Sequence, residues 1–189
     1  MDDKRLVKTS KYLARHLRHE PQRLGVSLDV HGWVGVDALL SACAAQSFRL
    51  TLDELREVVE CNDKRRFSFD ATGTRIRANQ GHSVDIDLNL RCSVPPFVLF
   101  HGTGRQSLDS IMSDGLRKMG RHHVHLSVDA ATALRVGGRH GSGVVLQVAA
   151  NDMCERGYEF FVSANDVWLT LEVPATFLAP RWDSSVNDG

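Results

Sequence analysis

Apolar residues in the first half of the chain recur at helical spacing before changing to strand spacing. Three leucines at helical intervals predict a helix over residues 8–19. Pro21 ends this helix, because the residue before a proline disfavours helical dihedral angles. Arg18 and His19 therefore lie in its last turn. These cations either stabilise the helix C-terminus or form a basic face for phosphate, and the pattern leaves both interpretations open.

Two further helices and a hairpin follow along the chain. Apolar spacing predicts a short strand within residues 27–34 and a helix over residues 37–45. The capping box Thr51–Glu54 opens a third helix that ends near Asn62. Alternating residues on both sides of a turn at 70–73 predict a β-hairpin. Helices followed by a hairpin are typical of winged-helix modules, many of which bind nucleic acid.

Basic residues cluster where the third helix meets the hairpin, namely Lys64, Arg65, Arg66, Arg75 and Arg77. Such a cluster is suited to the phosphates of a nucleic-acid backbone. Many basic hairpins serve only solubility, so the cluster alone does not identify a nucleic-acid site.

The second half of the chain is dominated by strand patterns. Pro95–Pro96 marks a boundary or the start of a strand. An apolar strand over residues 97–100 runs into a turn at 101–104, where glycine lets a ligand approach the backbone. Other predicted elements are helices over 107–113 and 130–136, a loop over 137–141, and strands over 144–148, 160–162 and 167–173. No Rossmann fingerprint, Walker A sequence or nucleophile elbow is present.

A histidine-rich stretch at residues 121–127 alternates polar and apolar side chains, which predicts a strand. His123 and His125 then share one face, and Val124 and Leu126 pack on the other. Three interpretations are open: a ligand site, a solvated edge strand, or a metal site formed by the histidines at 122, 123 and 125.

Composition and charge are those of an ordinary globular protein, with 42% hydrophobic residues, 24% charged residues and zero net charge. The length suits one large domain or two small lobes. Four widely spaced cysteines predict reduced, mostly buried thiols rather than a zinc site. We expect no membrane span and no secretory signal. We expect the protein to be cytoplasmic. The predicted fold class is α+β.

Seven segments, in this order, resemble the tRNA/RNA 2′-phosphotransferase family, also called KptA. They are Leu17-Arg18-His19 and residues 62–67, 76–83, 101–103, 119–127, 136–141 and 165–170. The resemblance extends from about residue 10 to residue 180. The resemblance rests on the order of the segments, because each segment alone is a weak signal.

The resemblance implies an enzyme of tRNA processing and splicing that moves an internal 2′-phosphate from RNA to NAD⁺. The reaction passes through an ADP-ribosylated 2′-phospho-RNA and releases nicotinamide and ADP-ribose 1″,2″-cyclic phosphate. It implies a winged-helix-like RNA-binding lobe over residues 1–92, a β-rich ADP-ribosyltransferase-like NAD-binding lobe over residues 93–182, and a tail at 183–189. NAD is expected as co-substrate without a metal, the partner is a tRNA-like RNA, and the protein is expected to be a monomer.

The resemblance also implies site residues. The catalytic tetrad is Arg18, His19, Arg66 and Arg121. The expected NAD-binding residues are His101, Gly102, Thr103, His125, Ser127 and Arg139, and His140 is a further candidate. The expected RNA-binding residues are Lys64, Arg65 and Arg77. Guanidinium groups bind phosphoryl oxygens bidentately, and a histidine exchanges protons near neutral pH. Val167 stands where protein-modifying relatives carry a catalytic glutamate, which fits a phosphate acceptor.

The sequence is also compatible with two other functions. One is an ADP-ribosyltransferase that modifies protein or a terminal nucleic-acid phosphate and does not complete phosphate removal. The other is a non-catalytic RNA-binding module.

Overall fold

The computed structural model describes residues 1–61, 65–140 and 142–181, and it confirms the α+β class. The described chain divides into two compact units. One contains residues 1–90 with 163–165, and the other contains residues 91–162 with 166 onward. Each unit has its own apolar core.

The first unit begins with helix α1, Asp3–Arg18, which starts five residues before the predicted helix. The Asp2 side chain accepts from the backbone N–H of Arg5 over 2.7 Å and so caps the helix at its actual start. The apolar pattern missed this first turn because its residues are largely exposed. Pro21 opens a separate short helix, α2, Pro21–Leu24.

The rest of the first unit follows the predicted order. Strand β1 is only Val34–Gly35, shorter than predicted, because the chain before it turns around the Asp29 side chain. Helices α3, Val36–Ala45, and α4, Leu52–Glu60, come next, and the capping box of α4 is present. The predicted end of that last helix, Asn62, lies outside the described residues.

The predicted hairpin is confirmed as β2, Phe67–Phe69, and β3, Arg75–Ala78. Phe67 pairs with Ala78, and β1 adds to the other edge of β3, so the strand order is β1-β3-β2. The buried side of this sheet and the helices share one core, which includes Leu13, Leu17, Leu39, Leu55, Phe67 and Ile76.

The second unit is built on two three-stranded antiparallel sheets. The first contains β4, Leu99–Gly104, β7, Gly143–Val148, and β11, Leu178–Arg181, in the order β11-β7-β4. The second contains β6, Val124–Leu126, β8, Phe160–Val162, and β9, Trp168–Thr170, in the order β6-β9-β8. Backbone bonds of 2.8 Å in both directions between Phe100 and Ser127 join the two sheets.

Helices and a small ribbon complete the second unit. They are α5, Leu108–Asp114, α6, Ala130–Gly137, α7, Ala150–Glu155, and the pair β5, Leu116–Arg117, with β10, Glu172–Val173. The single strand predicted over 167–173 is therefore wrong. It breaks after Thr170, and its second part pairs with residues more than fifty positions away, which no local pattern reveals. The sequence also did not predict α7 or β11.

The prediction of a turn at residues 101–104 is also wrong, because these residues continue β4. His101, Gly102 and Thr103 pair with Leu146, Val145 and Val144 of β7. The thiol prediction is partly wrong: all four cysteines are unpaired, but Cys61 and Cys92 are exposed. Among residues 1–61, 65–140 and 142–181, no helix is both long and apolar enough to cross a membrane.

Candidate active site

Arg18 and His19 lie at the C-terminal end of α1, and one serine holds both of them. The backbone N–H of Ser83 donates to the carbonyl oxygen of Arg18 over 2.9 Å. The Ser83 hydroxyl lies 2.9 Å from Nδ1 of His19. The serine therefore limits the rotation of the imidazole ring and directs its other nitrogen, Nε2, away from Ser83.

Arg65 and Arg66 lie just before β2, and one asparagine holds both of their carbonyl groups. The backbone N–H of Asn79 donates to the Arg66 carbonyl over 2.8 Å, and its side-chain Nδ2 donates to the Arg65 carbonyl over 2.7 Å. Asn79 is buried, at 2% exposure. Arg65 has a φ of +37°, which an L-residue adopts only when its surroundings impose it.

The Arg66 side chain reaches α1, since its Nη1 donates to the buried Ser10 hydroxyl over 3.1 Å. Ser10 precedes Arg18 by eight residues, or roughly 12 Å of helix. Arg18, His19 and Arg66 are thus anchored to the same helix. Arg66 is half-buried, whereas Arg65 is exposed.

A five-residue segment after β3, Asn79–Ser83, supplies the anchors of both pairs, and we refer to it as the 79–83 segment. Gly81 within it has a φ of +84°, which turns the chain between Asn79 and Ser83. In the sequence these residues belong to one of the segments that resemble the family, and no local pattern gives them a role. A buried Asn and a Ser on either side of a turning glycine were the available signal, but their partners lie up to 65 positions away.

The remaining predicted RNA-binding residues differ in how accessible they are. Lys64 lies outside the described residues. Arg77 is half-buried over the Trp33 ring, with its guanidinium carbon 4.6 Å from the ring centre. Burial lowers the pKa of Arg77, while the charge of Asp29 opposes that shift. Arg75 bonds to Asp70 over 3.0 Å, so the hairpin partly neutralises its own cations.

In the second unit, His101, Arg121 and His125 form a connected cluster. Nδ1 of His101 lies 3.0 Å from the carbonyl oxygen of His125. Nη1 of Arg121 lies 3.3 Å from Nδ1 of the same His125. The cluster exists because β4 and β6 adjoin at the Phe100–Ser127 bridge, which brings residues 24 positions apart side by side.

The hydrogen bonds determine where the protons lie. A carbonyl only accepts, so Nδ1 of His101 carries a proton and, in the neutral ring, Nε2 is an acceptor. A guanidinium only donates, so Nδ1 of His125 accepts from Arg121 and Nε2 of His125 carries the proton. Burial lowers the pKa of His101, the bond to the His125 carbonyl opposes this, and the Arg121 charge lowers the pKa further. His101 is therefore neutral at pH 7.

Gly102 allows α6 to pack closely on β4. A Cβ atom on Gly102 would lie 1.6 Å from the carbonyl oxygen of Ala133, on α6. Gly137 packs against the same strand, because a Cβ atom added to it would lie 2.6 Å from the backbone nitrogen of Thr103. The close contact of α6 with β4 depends on both glycines. Thr103 is half-buried on β4, and Ser127 is half-buried next to the bridge between the sheets.

His123, Arg139 and Val167 differ in their surroundings. His123 packs edge-on against Phe161, with ring centres 5.6 Å apart, and burial lowers its pKa, with the nearby His122 and Lys118 adding to the effect. Arg139 is exposed in a 3₁₀ turn after α6, and Val167 is half-buried before β9. In the described part of the chain, no three His, Cys, Asp or Glu side chains are grouped so as to hold a metal ion.

The similarity of this chain to known proteins extends over almost its whole length. Residues 4–172 match the family described as "RNA 2'-phosphotransferase, Tpt1 / KptA family". A probable RNA 2′-phosphotransferase of Herpetosiphon aurantiacus is 55% identical over 179 residues, covering 95% of this chain and 98% of that protein. The proteins of the same description from Nostoc punctiforme and Streptomyces coelicolor are 57% and 53% identical over 178 residues each, covering 94% of this chain and 98% and 97% of theirs.

The family match spans most of the chain, and relatives of more than 50% identity align with it nearly end to end. On these grounds the chain is a transferase that belongs to the RNA 2′-phosphotransferase family.

Proposed function

We propose that the protein removes an internal 2′-phosphate from RNA by transferring it to NAD⁺, with release of nicotinamide and ADP-ribose 1″,2″-cyclic phosphate. The observation that carries the proposal is the 79–83 segment. It holds Arg18–His19 through Ser83 and Arg65–Arg66 through Asn79, each by two contacts of 2.7–2.9 Å. Such anchoring suits side chains that must meet a phosphate in one geometry.

In the first step an oxygen of the RNA 2′-phosphate attacks C1″ of the nicotinamide ribose, and the C1″–N bond breaks. Nicotinamide leaves as a neutral molecule, because it carries its positive charge in NAD⁺. The phosphate dianion needs no base to act as a nucleophile, which agrees with valine at position 167. The requirement on the protein is to position the phosphate against an electron-poor carbon.

In the second step O2″ of the same ribose attacks the phosphorus atom while its hydroxyl proton passes to water, and the bond from phosphorus to the RNA 2′-oxygen breaks. Negative charge on the phosphoryl oxygens is redistributed, and the planar guanidinium groups of Arg18, Arg66 and Arg121 bind it. Nε2 of His19 donates a proton to the departing RNA oxygen, and its Nδ1 contact with Ser83 orients the ring for this transfer.

The cluster in the second unit has the donors and acceptors that a ribose requires. Nε2 of neutral His101 accepts a hydrogen bond from a ribose hydroxyl, and the Nε2 proton of His125 serves as a donor. A neutral His101 also avoids placing a positive charge next to the cationic nicotinamide. Thr103, Ser127 and Arg139 complete the proposed NAD-binding set. Gly102 supports it by allowing α6 to pack on β4.

We propose that the first unit binds the RNA and the second unit binds NAD⁺. In the first unit α1, α3 and α4 with the β2–β3 hairpin are the elements of a winged-helix-like RNA lobe. In the second unit, two adjoining three-stranded sheets around His101 and His125 support an ADP-ribosyltransferase-like NAD lobe.

The test is incubation with NAD⁺ and an RNA that bears one internal 2′-phosphate, with RNA and nucleotide products separated by chromatography. We expect 2′-OH RNA, nicotinamide and the cyclic phosphate in equal amounts, also in the presence of a chelator. ADP-ribosylated RNA that accumulates without cyclic phosphate would establish an ADP-ribosyltransferase instead. RNA binding without any nicotinamide release would establish a binding module. The variant Arg121→Gln is the control, since it should abolish turnover.

A further inference from the structure

The outer face of α1 carries a row of cations that the proposed reaction does not use. Lys4, Lys8, Lys11 and Arg15 follow one another at four, three and four positions. At 100° per residue they fall within about 60° of the helix circumference. All four are exposed, and the row lies opposite the buried face of α1. We refer to these four residues as the α1 row.

The α1 row has one sign of charge and little internal neutralisation. Arg15 bonds to Glu20 over 2.8 Å. Among residues 1–61, 65–140 and 142–181, no carboxylate pairs with Lys4, Lys8 or Lys11. Like charges three or four positions apart destabilise a helix, and surface helices usually alternate their charges instead. The row thus costs folding stability, which an anionic ligand would offset.

A cavity of about 460 Å³ adjoins the middle of the α1 row. Lys8 lines it from α1, and Phe48 and Arg49 line it from the chain after α3, together with Arg5, Ala44 and Ser47. The Phe48 ring stacks on Tyr12, with ring centres 3.9 Å apart and nearly parallel planes. An anchored aromatic ring that lines the same cavity as Lys8 and Arg49 provides a stacking surface for a base, and the cations provide positive charge for its phosphate.

We propose that the α1 row and this cavity bind the RNA strand that flanks the 2′-phosphate, with backbone phosphates on the row and one base against Phe48. The inference rests on the proposed function, because it takes RNA as the substrate. Arg18 ends the same helix, roughly 15 Å from Lys8. At 3.4 Å per stacked nucleotide, a strand reaches from one to the other in about five nucleotides. The aromatic ring favours RNA over an acidic protein partner.

The experiment compares two substrates and three proteins. One substrate is a dinucleotide with an internal 2′-phosphate, which is too short to reach Lys8 from Arg18. The other carries the same modification with ten nucleotides on each side. The proteins are the full-length wild type, Lys8→Gln/Arg49→Gln, and the matched control Arg56→Gln/Arg135→Gln, which removes two exposed arginine charges elsewhere.

We expect the Lys8→Gln/Arg49→Gln variant to lose most of the advantage in kcat/KM that the long substrate has over the dinucleotide. The control variant keeps that advantage. Binding of the long RNA, followed by fluorescence anisotropy, should depend less on salt, with the slope of log K against log salt reduced by about 0.7 per lost phosphate contact.

Equal salt slopes and equal kcat/KM ratios in the variant and the wild type would overturn the inference. The two proposals fail separately. If the wild type turns over neither substrate, the proposed function is wrong. The anisotropy slope then still decides whether the α1 row binds RNA.

Discussion

The side-chain nitrogen of Asn79 donates to the carbonyl oxygen of Arg65 over 2.7 Å, and Arg65 has a φ of +37°. The second bond from the Asn79 backbone holds the next carbonyl, that of Arg66, at 2.8 Å. A buried asparagine thus maintains an unfavourable backbone conformation directly before an arginine proposed to bind phosphate. Such conformations persist only where the surroundings impose them.

Replacing Asn79 by alanine should therefore reduce activity as well as stability. The variant loses the side-chain hydrogen bond to the Arg65 carbonyl, which corresponds to about 0.5–1.5 kcal/mol of unfolding free energy. We expect kcat to fall at least about tenfold, since Arg66 moves when the Arg65 backbone relaxes. Urea unfolding and single-turnover kinetics measure the two effects. Asn151→Ala, which removes a side-chain amide from α7, is the control. A full kcat below the unfolding transition would contradict a positioning role.

Ser83→Ala should affect the second step in particular. The variant keeps the backbone bond to Arg18 and loses only the hydroxyl contact with Nδ1 of His19. Loss of one such bond corresponds to about 0.5–1.5 kcal/mol, or a two- to tenfold slower transfer. Rapid-quench analysis of the ADP-ribosylated intermediate measures this step. Ser83→Thr, which retains a hydroxyl, should restore the rate, and failure of this rescue would argue against the hydroxyl contact.

Arg66→Ala and Arg18→Ala should slow the second step more than the first. Charge on the phosphoryl oxygens is redistributed most when the bond to the RNA oxygen breaks. The ADP-ribosylated RNA should then accumulate in both variants, as seen on denaturing gels. Arg65→Ala, which removes the exposed neighbour, should raise KM instead. Equal loss in both steps would contradict the assignment.

Acid should destabilise the protein through two half-buried histidines. Burial lowers the pKa of His101 and of His123 below the ordinary 6.5, so the unfolded chain takes up protons first as the pH falls. Unfolding free energy therefore decreases below pH 6.5, by at most about 1.4 kcal/mol per pH unit and histidine. The pKa of Glu54, held at about 2 by its bond from Arg5, lies outside this window.

The His101→Asn variant tests this. Its unfolding free energy should vary less between pH 6.5 and 5 than that of the wild type, and adding His123→Asn should flatten the curve further. Denaturant unfolding at several pH values measures it. Curves that stay parallel to the wild type would show that these rings do not change protonation on folding in that range.

Gly102→Ala should be strongly destabilising. The added Cβ would lie 1.6 Å from the Ala133 carbonyl oxygen, so α6 must move away from β4. We expect a loss of about 3 kcal/mol or more in unfolding free energy. Gly138→Ala is the matched control, because no atom lies within 4 Å of its added Cβ and its φ of −65° suits alanine. Equal stability of the two variants would show that the α6–β4 contact is not close.

The sequence alone predicted the elements whose signals are local. The capping box at Thr51 and the hairpin around residues 70–73 were found because each depends on residues at most a few positions apart. The β6 strand was predicted for the same reason, from alternation over residues 121–127. The start of α1 was missed, since its cap at Asp2 precedes any apolar residue of the helix.

The ordered segments in the sequence also determined the family, which the comparisons confirmed. What they did not reveal is how the residues support one another. The 79–83 segment anchors Arg18, His19, Arg65 and Arg66 through bonds that span 13 to 65 positions.

Only the tertiary structure decided such relationships, because a hydrogen bond between distant residues leaves no periodicity in the chain. The same holds for the strand at residues 101–104. A glycine next to a histidine indicated a turn for ligand approach, but the partner strand β7 and the backbone of α6 make it a packed strand instead. The sequence alone determined which residue types are present and in what order. Long-range pairing and close packing determined which of them hold the others in place.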